Sequence, residues 1–392
     1  AIRRQRQMCI RDRYEPGDKR LDAAYTIFYM GVNVGSFAAP LICGFLGDTG
    51  NPQDFKWGFL ASGIMTLFTV VLFETQKNKY LFSPSGEPIG IVPDARREKK
   101  EDKAEHISHP KIKRQQKVRN IIIITALTVA LIAFFSYAFS DDWISVGIFT
   151  ACIVFPVLIL LDGSLTKVER SRIFVIYIVA FFVIFFWAAY EQAGASLTLF
   201  ASEQTDRSIF GWEMPASWFQ SFNPLFVVIL AYIMPGIWGF LNKRNMEPAS
   251  PTKQAIGLLL LSLGYLFICF GVKDAIPGVK VSMIWLTGLY FIHTMGEIAL
   301  SPIGLSMVNK LSPLRFASLM MGIWYLSTAT ANKFAGMLSG LYPEDGKVKS
   351  ILGYQIATMY DFFMLFVIMS GVASLILFLL SKKLQKMMHG VE

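Results

Sequence analysis

The chain has 392 residues, 54% of them hydrophobic and 17% charged, with a net charge of +9. A soluble domain carries about a quarter charged residues, so this composition excludes an ordinary soluble globular protein. The four cysteines, Cys9, Cys43, Cys152 and Cys269, lack zinc-ligand spacing, which leaves free packed thiols as the expectation.

Residues 1–13 have no apolar core and read as non-native sequence, with the natural text expected to begin near Tyr14. Beyond them, apolar blocks such as 121–137, 173–189 and 362–380 are nearly free of charge. A helix needs about 20 such residues to cross the hydrocarbon core, and its backbone is satisfied internally. Strict two-residue alternation is absent, which argues against a β-barrel. The reading is an all-α polytopic membrane protein with ten spans, near 23–46, 57–75, 120–139, 144–162, 172–200, 216–241, 255–272, 282–308, 316–341 and 361–381.

Ten spans put both termini on one side, and the loops of that side hold 30 of the 37 Lys and Arg residues. Short basic loops stay in the cytoplasm, so both termini are expected there. The basic excess thus belongs to a membrane surface, and nucleic acid is not an expected partner.

In chain order, the first span carries Phe28-Tyr29-Met30-Gly31-Val32-Asn33-Val34-Gly35-Ser36. Asn33 offers amide donors and an acceptor, and the glycines permit close helix packing. Segment 76–119 is a charged linker, expected to lie solvated on the anionic leaflet. It contains His106 and His109, too few ligands for a metal site. Spans three and four form an uncharged hairpin joined by Ser140-Asp141-Asp142-Trp143, expected to be lipid-facing and structural.

Charge inside a span is costly, so each instance is a functional hypothesis. Three stand out: Glu191, Glu297 and Lys333. Glu191 shares a helix face with Trp187, four residues earlier. Desolvation beside aromatic rings favours the neutral acid, which suits proton uptake and release; a structural ion pair is the competing reading. The sixth span contains Asn223, in Phe219-Gln220-Ser221-Phe222-Asn223-Pro224. In the eighth, His293, Glu297 and Ser301 recur every four residues, a polar stripe that should face a cavity. Pro302 and Gly304 loosen the helix below it. A carboxylate there suits a cationic substrate group, while His293 is equally a packed histidine or a proton relay. In the ninth span, Trp324 is a packing residue or a pocket wall, and Lys333 snorkels or serves the pathway.

These segments together resemble the proton-coupled oligopeptide transporter family of the major facilitator superfamily. The stretch 25–37 is similar to its F-Y-x-x-I/V-N-x-G-S signature, 186–194 to F-W-x-x-Y-E-Q-x-G, and 296–313 to G-E-x-x-L-S-P-x-G-L-S; 322–329 matches a fourth segment. The resemblance implies a partial major-facilitator fold: 14–75 as the last two helices of the N-terminal bundle, 76–119 as linker, 120–162 as an inserted hairpin, and 163–392 as a complete C-terminal six-helix bundle. The short outer loop 273–280 resembles bacterial members.

The same resemblance implies roles. Glu297 would bind the peptide amino terminus, with Ser301 beside it. Glu191 would be the proton-linked acid, and His293 a weaker candidate for proton coupling. Asn33, Asn223 and Tyr29 would contact peptide, and Trp187 and Trp324 would line side-chain pockets. Function would be proton-coupled symport of di- and tripeptides across the cytoplasmic membrane by alternating access. Protons would be the coupling ion, with no cofactor or metal and a monomer as the functional unit. The family's first four helices, with their E-x-x-E-R motif, have no counterpart here, so the chain alone is expected not to transport. The alternatives are a related transporter of another small solute, such as nitrate or an amino-acid conjugate, or, from a different class, a membrane enzyme or structural subunit. No Ser-His-Asp set, metal cluster or phosphate loop supports an enzyme.

Overall fold

A computed structural model of the chain describes residues 20–82, 114–139, 142–273, 279–343, 347–351 and 353–391. The opening segment 1–13, most of the charged linker with its two histidines, and much of loop 273–280 lie outside the described residues. Long helices dominate: α1 (Arg20–Gly47), α2 (Phe55–Tyr80), α3 (Arg114–Phe139), α4 (Trp143–Leu160), α5 (Lys167–Tyr190), the short α6 (Ser196–Glu203), α7 (Phe222–Lys243), α8 (Ser250–Val272), α9 (Met283–Leu311), α10 (Ala317–Ser339) and α11 (Met359–Met387). The starts follow local chemistry. Thr166 and Glu169 form a reciprocal capping box on α5, Thr358 and Asp361 another on α11, and Ser282 caps α9.

Among the described residues, nine helical segments are long and apolar enough to cross a membrane. The tenth expected span is present as the helix α10, but it is not one of the nine. Its Ser, Thr, Gly, Asn332 and Lys333 dilute the apolar residues along its length.

The chain divides into two compact units, Ala1–His109 with Met214–Val228, and Pro110–Glu213 with Ile229–Glu392. In the first unit, α1 and α2 approach closely: a Cβ on Gly58 would lie 2.8 Å from the Cys43 carbonyl oxygen. The 3-10 segment Ala216–Ser221 docks on α1. Trp218 Nε1 donates to Leu41 O at 3.2 Å and Ser221 Oγ to Phe37 O at 2.9 Å. Neither carbonyl belongs to the helix end, so these bonds add to the helical ladder.

In the second unit, α8 packs between α9 and α11, and α5 packs against α10 and α11. Two-residue strands β1 (Thr205–Asp206) and β2 (Val281–Ser282) pair in parallel and tie the exit of α6 to the entry of α9. The α3–α4 hairpin is asymmetric. No residue in the apolar window of α3 is buried, whereas α4 buries Ser145, Val146, Thr150 and Ile159 and packs on α10.

The hairpin turn supplies Lys333 with a partner. Asp142 Oδ2 stands 2.6 Å from Lys333 Nζ, while the same carboxylate caps α4 through Ser145 N and Ser145 Oγ. The Lys333 bond first, and the Ser145 bonds next, push the Asp142 carboxyl down from 3.8 to about 2. A group with a depressed native pKa stabilises fully above its unfolded value and loses that contribution as pH falls through the native one. The thermal midpoint of the parent should therefore exceed that of Asp142→Asn at neutral pH. The gap should close as pH falls from 3.8 toward about 2. A pH-independent gap in a detergent melting series would contradict the pairing.

Candidate functional site

The fifth predicted span does not run as one helix. α5 ends at Tyr190, Glu191–Gly194 form a 3-10 turn, and α6 resumes at Ser196. A break at this depth frees carbonyl oxygens that lipid cannot satisfy. Side chains satisfy them here. Gln192 Nε2 donates to Ala188 O at 3.1 Å and reaches Ala335 O on α10 at 3.0 Å. Tyr265 on α8 donates its hydroxyl to Ala189 O at 2.6 Å. Ser196 Oγ donates to Gln192 Oε1 at 2.6 Å, and Gln192 is fully buried. The break is thus fixed by α8 and α10, and it holds Glu191 at a helix end, half-buried.

Next to the break, Tyr190 donates its hydroxyl to Glu297 Oε2 at 2.5 Å. Tyr190 stacks on Phe186, with ring centroids 5.5 Å apart, and meets Trp187 edge to face at 5.3 Å. The Glu297 carboxylate is therefore oriented by a tyrosine whose ring is itself held by two aromatics. Glu191 directly follows Tyr190, so a second acid stands at the helix end whose tyrosine holds Glu297.

His293 takes a different role from Glu297 although both lie on one helix stripe. It is 2% exposed, its Nε2 lies 3.2 Å from Leu261 O, and its ring sits 4.7 Å from that of Tyr265. Gly264 makes the room, since a Cβ there would lie 2.4 Å from His293 Cδ2. This is the geometry of a packed, hydrogen-bonded histidine. One turn below Glu297, Ser301 Oγ has no hydrogen-bond partner among the described residues, nor do Gln254 Oε1 and the Tyr290 hydroxyl. Gln254 Nε2 donates to Leu300 O at 2.8 Å, beside Pro302. Trp324 is 4% exposed and lies over Gly304, where a Cβ would stand 2.4 Å from Trp324 Cζ2.

The second unit thus brings together Trp187, Glu191, Glu297 and, behind them, His293. Asn33 and Asn223 belong to the first unit, Asn33 buried in α1 and Asn223 half-buried at the start of α7. The side chain of Tyr29 lies outside the described residues. Sequence reasoning missed Tyr190, Gln192, Gln254 and Tyr265. Gln192 and Gln254 carried a usable signal, a polar amide within an otherwise apolar segment. Tyr190 and Tyr265 did not, because a tyrosine in a span reads as packing.

The family model described as PTR2, the POT family, matches residues 9–354. Peptide transporter YePEPT of Yersinia enterocolitica is 32% identical over 336 residues, 83% of this chain and 63% of that protein. Dipeptide and tripeptide permease A of Escherichia coli is 28% identical over 336 residues, 84% of this chain and 60% of that protein. The chain therefore spans somewhat under two thirds of the length of these relatives. A crystal structure of a mutant of peptide transporter POT in complex with alafosfalin superposes with a TM-score of 0.74 at 29% identity, covering 98% of this chain and 72% of that one.

The place of Glu297 depends on how closely α8 and α9 approach. Cβ atoms added to Gly257 or Gly296 would lie 2.9 and 2.8 Å from the other's carbonyl oxygen. Gly257→Val should cost ~1–3 kcal/mol by overpacking backbone against backbone. Gly322 has nothing within 4 Å, so Gly322→Ala should be neutral or slightly stabilising. Thermal unfolding in detergent distinguishes the two; equal midpoints would contradict the close approach.

Proposed function

This chain belongs to the POT family, and from that premise we propose that it serves proton-coupled symport of di- and tripeptides by alternating access. POT-family proteins are transporters, not enzymes. The observation that carries the reading is the Glu191–Tyr190–Glu297 arrangement, in which the tyrosine that positions one carboxylate is followed directly by a second acid at a helix break. Peptide substrates come from the relatives, whose names specify peptide transport and di- and tripeptide permeation.

The chemistry runs through charge. Glu297, held by Tyr190, accepts the α-ammonium of the peptide; a hydrogen bond to an ionised group is worth ~1.5–3 kcal/mol. A proton on Glu191 removes the like charge beside it and leaves Glu297 as the single anion facing the ammonium. Proton and peptide ammonium thus act on the same acids, so each changes the other's binding. Each charge moved down 100 mV of membrane potential contributes ~2.3 kcal/mol to uphill uptake. Ser301, one turn from Glu297, offers a hydroxyl, and Trp187 and Trp324 offer aromatic walls for substrate side chains. Asn33, Asn223 and Tyr29 are assigned to the substrate on their chemistry and motif alone. His293 is assigned to packing behind Glu297 in preference to a proton relay.

We assign the chain to the cytoplasmic membrane, with both termini in the cytoplasm, on the basic excess of the loops on that side. The functional unit is a monomer, with protons as coupling ion and no further cofactor.

In proteoliposomes bearing the protein, Glu297→Gln should weaken binding of a free-amine dipeptide by about 10–100-fold, the factor that ~1.5–3 kcal/mol implies. Binding of the N-acetylated dipeptide should change little. Glu191→Gln should keep peptide exchange but lose accumulation driven by a pH gradient. Unchanged amine dependence in Glu297→Gln would overturn the substrate assignment.

A further inference from the structure

A cavity of about 410 Å³ opens beside the turn that joins α4 to α5, lined by Leu160, Lys167, Arg170, Ser171, Phe174 and Met387. It lies apart from the acidic cluster, at the opposite end of α5. The lining is graded along the helix. Lys167, Arg170 or Ser171, and Phe174 recur at three- and four-residue spacing, so they share one face. From Lys167 to Phe174 the face descends ~10 Å at 1.5 Å per residue. Charge stands at the helix start, where headgroups lie, and an exposed aromatic ring stands below, within the apolar span. Leu160 from α4 and Met387 from α11 complete the apolar wall.

The two cations are uncommitted. Among the described residues Lys167 has no acidic partner, and Arg170 bonds only the backbone, donating to Asp162 O at 3.3 Å. The neighbouring acids are occupied. Glu169 accepts from Arg315 Nη2 at 3.2 Å and closes the Thr166 capping box, and the Asp162 carboxylate accepts from Ser164 N at 2.8 Å. Ser171 Oγ donates to Met387 O at 3.1 Å, which fixes the floor between α5 and α11.

We propose that this cavity is a binding site for an anionic phospholipid, with its phosphate on Lys167 and Arg170 and an acyl chain along Phe174, Leu160 and Met387. An arginine fork suits a phosphate diester. Phe174 below, with Leu160 and Met387 beside the cations, gives a lipid an advantage that a free anion lacks. The site rests on the membrane-spanning fold and does not depend on the transport reading.

Native mass spectrometry of the delipidated protein, incubated with phosphatidylglycerol or with phosphatidylcholine of equal chain length, tests it. The parent should retain phosphatidylglycerol at least fivefold better, and Lys167→Ala/Arg170→Ala should fall to the phosphatidylcholine level. Lys382→Ala/Lys383→Ala, which removes the same charge from the exposed end of α11, should keep the preference. Phe174→Ala should shorten retention of the lipid. Absence of a phosphatidylglycerol preference, or equal loss in both double variants, would overturn the site. Inorganic phosphate displacing the lipid at comparable concentration would overturn the lipid assignment in favour of a free anion.

Discussion

A helix that breaks inside a membrane must find internal partners for the carbonyl oxygens it releases. At Glu191 this constraint organises the second unit. The buried Gln192 amide serves Ala188 and Ala335, and the Tyr265 hydroxyl serves Ala189. Those bonds draw α8 and α10 onto the break. The close approach of α8 and α9 at Gly257 and Gly296 then sets the height of Glu297. Tyr190, the last residue of α5, reaches across to it. The acid pair is thus a consequence of how one broken helix is repaired.

The same logic separates residues that look alike in sequence. His293 and Glu297 occupy one stripe of α9, yet His293 is sealed against Tyr265 and Leu261 O, while Glu297 stays half-buried with a hydroxyl donor. Lys333 is the only charged residue within α10. It is answered by Asp142 at the hairpin turn, so that hairpin is more than a lipid-facing appendage.

The helices were legible because continuous apolar length is a one-dimensional property. Nine of the ten expected spans are long and apolar enough to cross, and the tenth, α10, differs through its small polar residues. Glu191 and Glu297 were legible because charge in a span is costly and needs a reason. The break after Tyr190 was not, since it is held by tertiary hydrogen bonds from Gln192 to α10 and from Tyr265 on α8, partners that local pattern does not bring together. The pairing of Lys333 with Asp142 was equally hidden, because the partners are far apart in sequence and meet only through the packing of α4 on α10.

In the proposed mechanism, protonation at Glu191 and occupation of Glu297 are thermodynamically linked. Calorimetric titration of the intact protein with a dipeptide, repeated in buffers of different ionisation enthalpy, counts the protons exchanged on binding. A net proton exchange that vanishes in Glu191→Gln is the expected result. Exchange of the same size in Glu191→Gln, or none in the parent across neutral pH, would contradict the linkage.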